Sequence, residues 1–213
     1  MSDTTPSRAP SLTERRKAAT QLDIARAAVE LFTERGPDGT TAEDIALRAG
    51  VALRTFYRYF RSKQDAVAPL LAGGADRWRA DLAATAPGTP LADALERSVA
   101  ASLTPADAEA EEELLRTRGL LRAAADDPAL RAVWYRVNQE SEERLREVLA
   151  GLAGPGADPL GVRLAAAAAT DAIRLALESW AEGEPGGGDG DGPASLAVRC
   201  LRELTGGMDL LRT

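Results

Sequence analysis

The stretch TTAEDIALRAGVALRTFYRYF, residues 40–60, constrains this chain more than any other. Thr40 with Glu43 three positions on fits a capping box, which opens a short helix over Thr41–Ala49. Gly50 stops that helix, and a second short one follows over Ala52–Phe60. Upstream, Ile24, Ala28, Leu31 and Phe32 recur on one face of a longer helix that starts near Arg15 and ends at Gly36, and Pro37–Gly39 supplies a turn. Two short helices about one glycine, behind a longer amphipathic helix, make a helix-turn-helix unit over about residues 40–59.

The remainder also reads as helix. Ser62 with Asp65 starts a fourth helix that places Val67, Leu71, Gly74, Trp78 and Leu82 on one stripe. Five more segments follow: Leu91–Leu103, an acidic segment ending near Asp127, a helix from Pro128 to Leu152, Leu160–Ala181, and about 194–204. The third of these carries Leu130, Trp134, Val137, Ser141, Leu145 and Val148 on one side. No strand-like alternation and no internal repeat occurs, so the fold class is all-α with about nine helices. Residues 1–13 read as a disordered arm and 184–193, EPGGGDGDGP, as a flexible loop.

Composition narrows the chemistry. Hydrophobic residues make up 45% of the chain, but aromatics only 4%, and Ala and Leu dominate the apolar content. Histidine is absent, which excludes His-ligated zinc and imidazole acid–base catalysis. The acidic run Glu109–Glu113 reads as a solvated helix face, so an enzyme is not expected, and neither is a metal or cofactor. A single cysteine, Cys200, allows no disulfide within the chain, and no signal peptide or run of about 18 apolar residues is found, so a cytoplasmic protein with no membrane partner is expected. The net charge of −7 is unevenly placed: residues 1–64 are basic and the rest strongly acidic, which suggests a local polyanion-binding surface.

The basic third centres on Val51–Lys63, which holds four of the six Phe and Tyr residues and four cations. Phe56 and Phe60, four residues apart, are expected to face inward with Ile45, Leu31 and Phe32. Arg54 has the geometry to donate bidentately to guanine or to a phosphate, and Tyr57 and Lys63 suit phosphate oxygens. Thr41, at the start of its helix, can offer a hydroxyl and a free backbone N–H to another phosphate.

The segment from about Arg16 to Val67 resembles the DNA-binding domain of the TetR family of bacterial transcriptional regulators. Leu31-Phe32 and Gly36, Thr40-Thr41, Ile45-Ala46, Ala49-Gly50-Val51, and Thr55-Phe56-Tyr57-Arg58-Tyr59-Phe60 with Lys63 carry the resemblance jointly. It implies a DNA-binding domain over residues 14–63, with base and phosphate contacts from Leu53, Arg54 and Thr55. Thr41, Tyr57 and Lys63 would contact phosphates, with Arg15, Arg16 or Lys17 reaching the flanking backbone or minor groove. Ala52 departs from the pattern, because the family usually carries Ser or Thr at this cap, worth roughly 1 kcal/mol.

The resemblance further implies a helical ligand-binding and dimerisation domain over residues 64–207. Partners would be double-stranded operator DNA, a second copy of the chain, and an unknown small-molecule effector that releases a repressor from a palindromic operator. An activator, or a helical adaptor without operator binding, is the alternative. Leu160–Ala181 and 194–204 would form the dimer bundle, with Ala165, Ala168, Ala172 and Ala176 permitting close helix approach. Candidate effector-binding residues are Arg118, Trp134, Asn138, Thr170, Arg174 and Trp78. Each has a plainer reading: a snorkelling or paired Arg118, core packing for both tryptophans, an Asp171–Arg174 ion pair, and a Thr170 hydroxyl bonded to its own helix.

Overall fold

A computed structural model describes residues 11–86, 88–183, 192–208 and 211. Among these it contains nine α-helices, one 3-10 turn and no strand. The first helix, α1, spans Leu12–Arg35. It begins earlier than its apolar stripe, because Ser11 and Glu14 form a reciprocal capping box ahead of it. Leu12 and Thr13 are therefore helical, which shortens the expected arm; residues 1–10 lie outside the described residues. At the other end Gly36 (φ 73°) donates its N–H to the Phe32 carbonyl.

The second helix, α2, spans Ala42–Arg48, and its capping box lies one residue later than expected: Thr41 pairs with Asp44, not Thr40 with Glu43. Thr40 is instead buried, and its hydroxyl donates to the Gly36 carbonyl at 3.0 Å and the Leu31 carbonyl at 3.3 Å. That fastens the turn to the end of α1, a role that two adjacent threonines, both able to cap, conceal in the sequence. Gly50 (φ 67°) then takes a left-handed conformation that few side chains tolerate. The third helix, α3, spans Leu53–Tyr59 with Ala52 as an N-cap lacking any side-chain hydrogen bond.

The Ser62 hydroxyl accepts the Asp65 N–H and donates to its carboxylate, opening the 3-10 turn Asp65–Val67. This runs into α4, Ala68–Ala83, whose Leu71, Trp78 and Leu82 are buried as expected. Then come α5 (Leu91–Ser102), α6 (Ala108–Asp126), α7 (Pro128–Ala153), α8 (Pro159–Glu182) and α9 (Pro193–Thr205). Aspartates 107, 127 and 158 cap α6, α7 and α8 through their carboxylates. Pro193 begins α9, so the expected loop ends earlier than residue 193; residues 184–191 lie outside the described residues. No described helix is long and apolar enough to cross a membrane.

One apolar cluster runs from Ile24 in α1 to Leu201 in α9. Within it α8 packs along α9 and α7, and Ala165, Ala168, Ala172 and Ala176 are all buried inside the single chain. The close helix approach that their shared face permits is to this chain's own helices. The large exposed apolar residues of α8 are Leu160, Leu164 and Leu175, with Leu204 exposed on α9.

The three-helix unit meets the rest of the molecule through α4, through the packing of α1 on α6, and through two polar links. The Gln64 amide donates to Asp127 Oδ2 at 3.0 Å, and Arg136 Nη2 donates to Asp65 Oδ1 at 2.8 Å. Burial pushes the Asp127 carboxyl up. Hydrogen bonds from Gln64 and the Leu130 and Ala129 amides, with the nearby Lys63 charge, outweigh burial and hold it below the ordinary carboxylate range.

Candidate nucleic-acid interface and effector cavity

Helix α3 is two-faced because its period places residues four apart on one side. Phe56 is 0% and Phe60 6% exposed, in the cluster with Ile45, Leu31 and Phe32. Their ring centroids stand 5.7 Å apart, and Tyr57 meets Phe56 edge-on at 5.3 Å. Arg54 and Tyr57 project outward; Tyr57 is 56% exposed. Leu53 and Thr55 are half-buried, and Leu53 also packs against the core. Arg58 folds back along its own chain, stacking over Tyr59 at 4.9 Å.

Two expected phosphate contacts have internal partners. Lys63 Nζ donates to the carbonyls of Pro37 at 2.7 Å and Thr40 at 2.9 Å, which leaves one of its three donors for anything else. Thr41 directs both its backbone N–H and its hydroxyl to Asp44 Oδ2, so the free N–H expected there is not free. Those same bonds hold the Asp44 carboxyl below its usual range. Arg15, Arg16 and Lys17 are exposed on the first turns of α1. A further anchor escaped the sequence: Arg48 forms a two-pronged bond to Glu34, both distances 2.9 Å, and reaches Glu30 at 3.3 Å. It pins α2 on α1, and nothing in linear spacing marks partners 14 and 18 residues away.

The second site is a cavity of about 270 Å³ enclosed by α4, α6, α7, α8 and the segment between α5 and α6. Four of the six sequence candidates line it: Trp78, Trp134, Asn138 and Thr170. Trp78 Nε1 donates to Ser98 Oγ at 3.0 Å and Trp134 Nε1 to Glu178 Oε1 at 2.7 Å. Asn138 Nδ2 donates to the Trp134 carbonyl. Thr170 is 5% exposed and its hydroxyl has no partner, so the expected bond to its own helix is not made.

Arg118 and Arg174 are not in the lining of this cavity. Arg118 lies over the Trp180 ring at 4.8 Å and donates to the Gly183 carbonyl at 2.8 Å, where a cation complements the C-terminal end of α8. Arg174 is held between Asp171 and Glu178, each at 2.9 Å, so the local ion pair is the arrangement found. Ser141 also lines the cavity and was not singled out as a site residue. It accepts from Arg79 Nη1 at 3.2 Å, and a buried serine on an otherwise apolar α7 stripe was the signal available for it.

Comparison with known proteins bears on the helix-turn-helix and on the fold. Residues 24–68 match the family model described as bacterial regulatory proteins, tetR family. The chain is 28% identical over 152 residues to the helix-turn-helix-type transcriptional regulator TcmR of Streptomyces glaucescens, covering 70% of this chain and 67% of TcmR. It is 34% identical over 146 residues to a helix-turn-helix-type transcriptional regulator of Mycobacterium bovis, covering 68% of this chain and 64% of that one. The fold resembles the crystal structure of the multidrug-binding protein EbrR in complex with imidazole. The TM-score is 0.52 and the identity 24%, over 86% of this chain and 93% of EbrR. A helix-turn-helix with an outward cationic and aromatic face, matched by the family model and borne by an all-helical frame, places the chain in the TetR family of DNA-binding transcriptional regulators.

Proposed function

We propose that this chain is a homodimeric, cytoplasmic repressor whose operator binding is released when a small molecule fills the cavity among α4, α6, α7 and α8. It acts by binding, not by catalysis. Residues 14–63 read the DNA and residues 64–207 carry the effector site and the dimer contact. Arg54, Thr55 and Leu53 meet bases and phosphates, Tyr57 meets a phosphate, and Arg16 and Lys17 reach the flanking backbone. Thr41 and Lys63 shape the unit first and touch DNA only through what their internal bonds leave over.

The observation that carries this reading is the shared use of α4. Leu71, Gly74 and Trp78 of that helix line the cavity, while the turn leading into it, with Ala66 and Val67 fully buried, is packed into the core beside α1. A ligand wedged against α4 therefore tilts the three-helix unit. In a symmetric dimer the two α3 helices must enter successive major grooves about 34 Å apart, so a small tilt at each is enough to lose the fit. By linkage, operator and effector weaken each other's binding. The exposed leucines 160, 164 and 175 of α8, with Leu204 of α9, supply the apolar dimer face.

Leu164→Glu tests the dimer half of this reading by sedimentation and by duplex titration. The variant is expected to be monomeric where the parent is dimeric, and to lose roughly 100-fold in operator affinity because the two half-sites no longer act together. A variant that stays dimeric, or a monomer that binds as the parent does, would remove the α8 face from the account.

A further inference from the structure

Most polar groups in the wall of the cavity are already bonded; the Asp81 carboxylate, the Asn138 amide oxygen and the Thr170 hydroxyl are not, and of these only the Thr170 hydroxyl is fully buried. At its mouth Arg77 Nη2 reaches Glu113 Oε2 at 2.8 Å, so the one cation of the lining is paired. Asp81 adds a second carboxylate, which leaves the lining with one negative charge in excess. The hydroxyls of Ser102, Thr104 and Thr117 each donate to a backbone carbonyl of the preceding turn, and Ser141 is engaged by Arg79. Both indole N–H groups point to Ser98 and Glu178, so Trp78 and Trp134 offer the cavity hydrocarbon surface. Among the described lining residues, Thr170 alone holds a buried side-chain oxygen without a partner.

A buried hydroxyl left unbonded is unfavourable, and a ligand that brings a hydrogen-bonding oxygen relieves it. A carboxylate entering the same space would find no unpaired cation and an excess of negative charge. We propose that the cavity selects an uncharged ring-containing molecule with one hydrogen-bonding oxygen, and that Thr170 recognises that oxygen. This rests on the cavity being the effector site. The two tryptophans hold the rings, and the Thr170 hydroxyl sets the orientation from α8.

The test uses the full chain and three probes of one ring system near neutral pH: naphthalene, 2-naphthol and 2-naphthoate. Binding is followed by quenching of tryptophan fluorescence, since two of the three tryptophans line the cavity. The parent and Thr170→Ser are expected to bind 2-naphthol alike, while Thr170→Val binds it roughly 5- to 10-fold more weakly. Naphthalene should bind all three proteins equally, and 2-naphthoate should bind the parent at least about tenfold more weakly than 2-naphthol. An unchanged 2-naphthol affinity in Thr170→Val, equal binding of 2-naphthoate, or no quenching of the parent by 2-naphthol would each overturn the proposal. If the expected affinities are found but saturating 2-naphthol leaves operator binding intact, the ligand class and Thr170 stand and release by effector fails.

Discussion

Helix α3 and the cavity solve opposite problems with the same helical period. On α3 the core residues point in while Arg54 and Tyr57, proposed to meet DNA, point out, so Phe56 at 0% exposure and Tyr57 at 56% are chain neighbours on opposite faces. In the cavity the residues proposed to face an effector point inward with the core, so Trp134 and Val137 share one buried stripe whether they pack or bind. Function on an outer face separates from packing by direction alone. Function on an inner face separates from it only by unfilled space and by polar atoms left over.

The comparison is broken most forcefully by exchanging a side chain on the inner side of α3. Phe56→Ala removes a fully buried ring that meets α1 and α2 residues in the core. A stability loss of about 3–5 kcal/mol is expected by chemical denaturation, with DNA binding lost alongside. Arg54→Ala, two positions away on the outer side, should leave the denaturation midpoint unchanged. Its cost falls on operator affinity, by about 1–3 kcal/mol at the contacted base pair. If both changes damaged stability alike, the two-faced description of α3 would be wrong.

Ala52→Ser asks a smaller question of the same helix. The N-cap has no side-chain bond, and its extended backbone (φ −69°, ψ 146°) already suits a capping hydroxyl. A gain of about 0.5–1 kcal/mol in stability is expected from thermal or chemical unfolding. A loss would mean that the helix start is held by something other than its cap.

The smallest effect concerns the junction between the two regions. Asp127, which accepts from Gln64 and caps α7, has its carboxyl held below the ordinary value of 3.8. A depressed carboxyl contributes stability that is fully present above its unfolded value and is lost as pH falls through its folded one. The junction should therefore be indifferent to pH between about 5 and 7 and loosen only below about 4. Asp127→Asn should flatten that acid limb in a pH series of unfolding midpoints.

How much of this was legible in the sequence follows the same division. Periodicity found the long helices α1, α4 and α7, because one apolar stripe per helix is what burial requires, while capping and glycine signals found the short α2 and α3. It placed Phe56 and Phe60 inward and the α4 stripe in the core. It misjudged the caps where two candidates stood side by side, at Thr40 and Thr41, because the choice is made by which threonine reaches the end of α1. Arginines were hardest to place: Arg118 and Arg174 sit at helical positions that resemble pocket residues, yet they end on a carbonyl and between two carboxylates. Arg118 is positioned by a carbonyl 65 residues away, of which spacing along one helix carries no record, whereas Arg174 is held by carboxylates three and four positions away, the local ion pair that spacing does suggest. The alanines of α8 announced close helix approach, but a small-residue face does not say to which helix.

The central claim is that the outer face of α3 reads DNA as one of a symmetric pair, and selection of bound duplexes from a random library tests it most directly. The account expects a recovered pseudo-palindrome whose half-sites lie one helical turn or a multiple apart, with Arg54→Ala relaxing the sequence preference within each half-site. Recovery of no common sequence, or of the same sequence with the same affinity by Arg54→Ala, would contradict it.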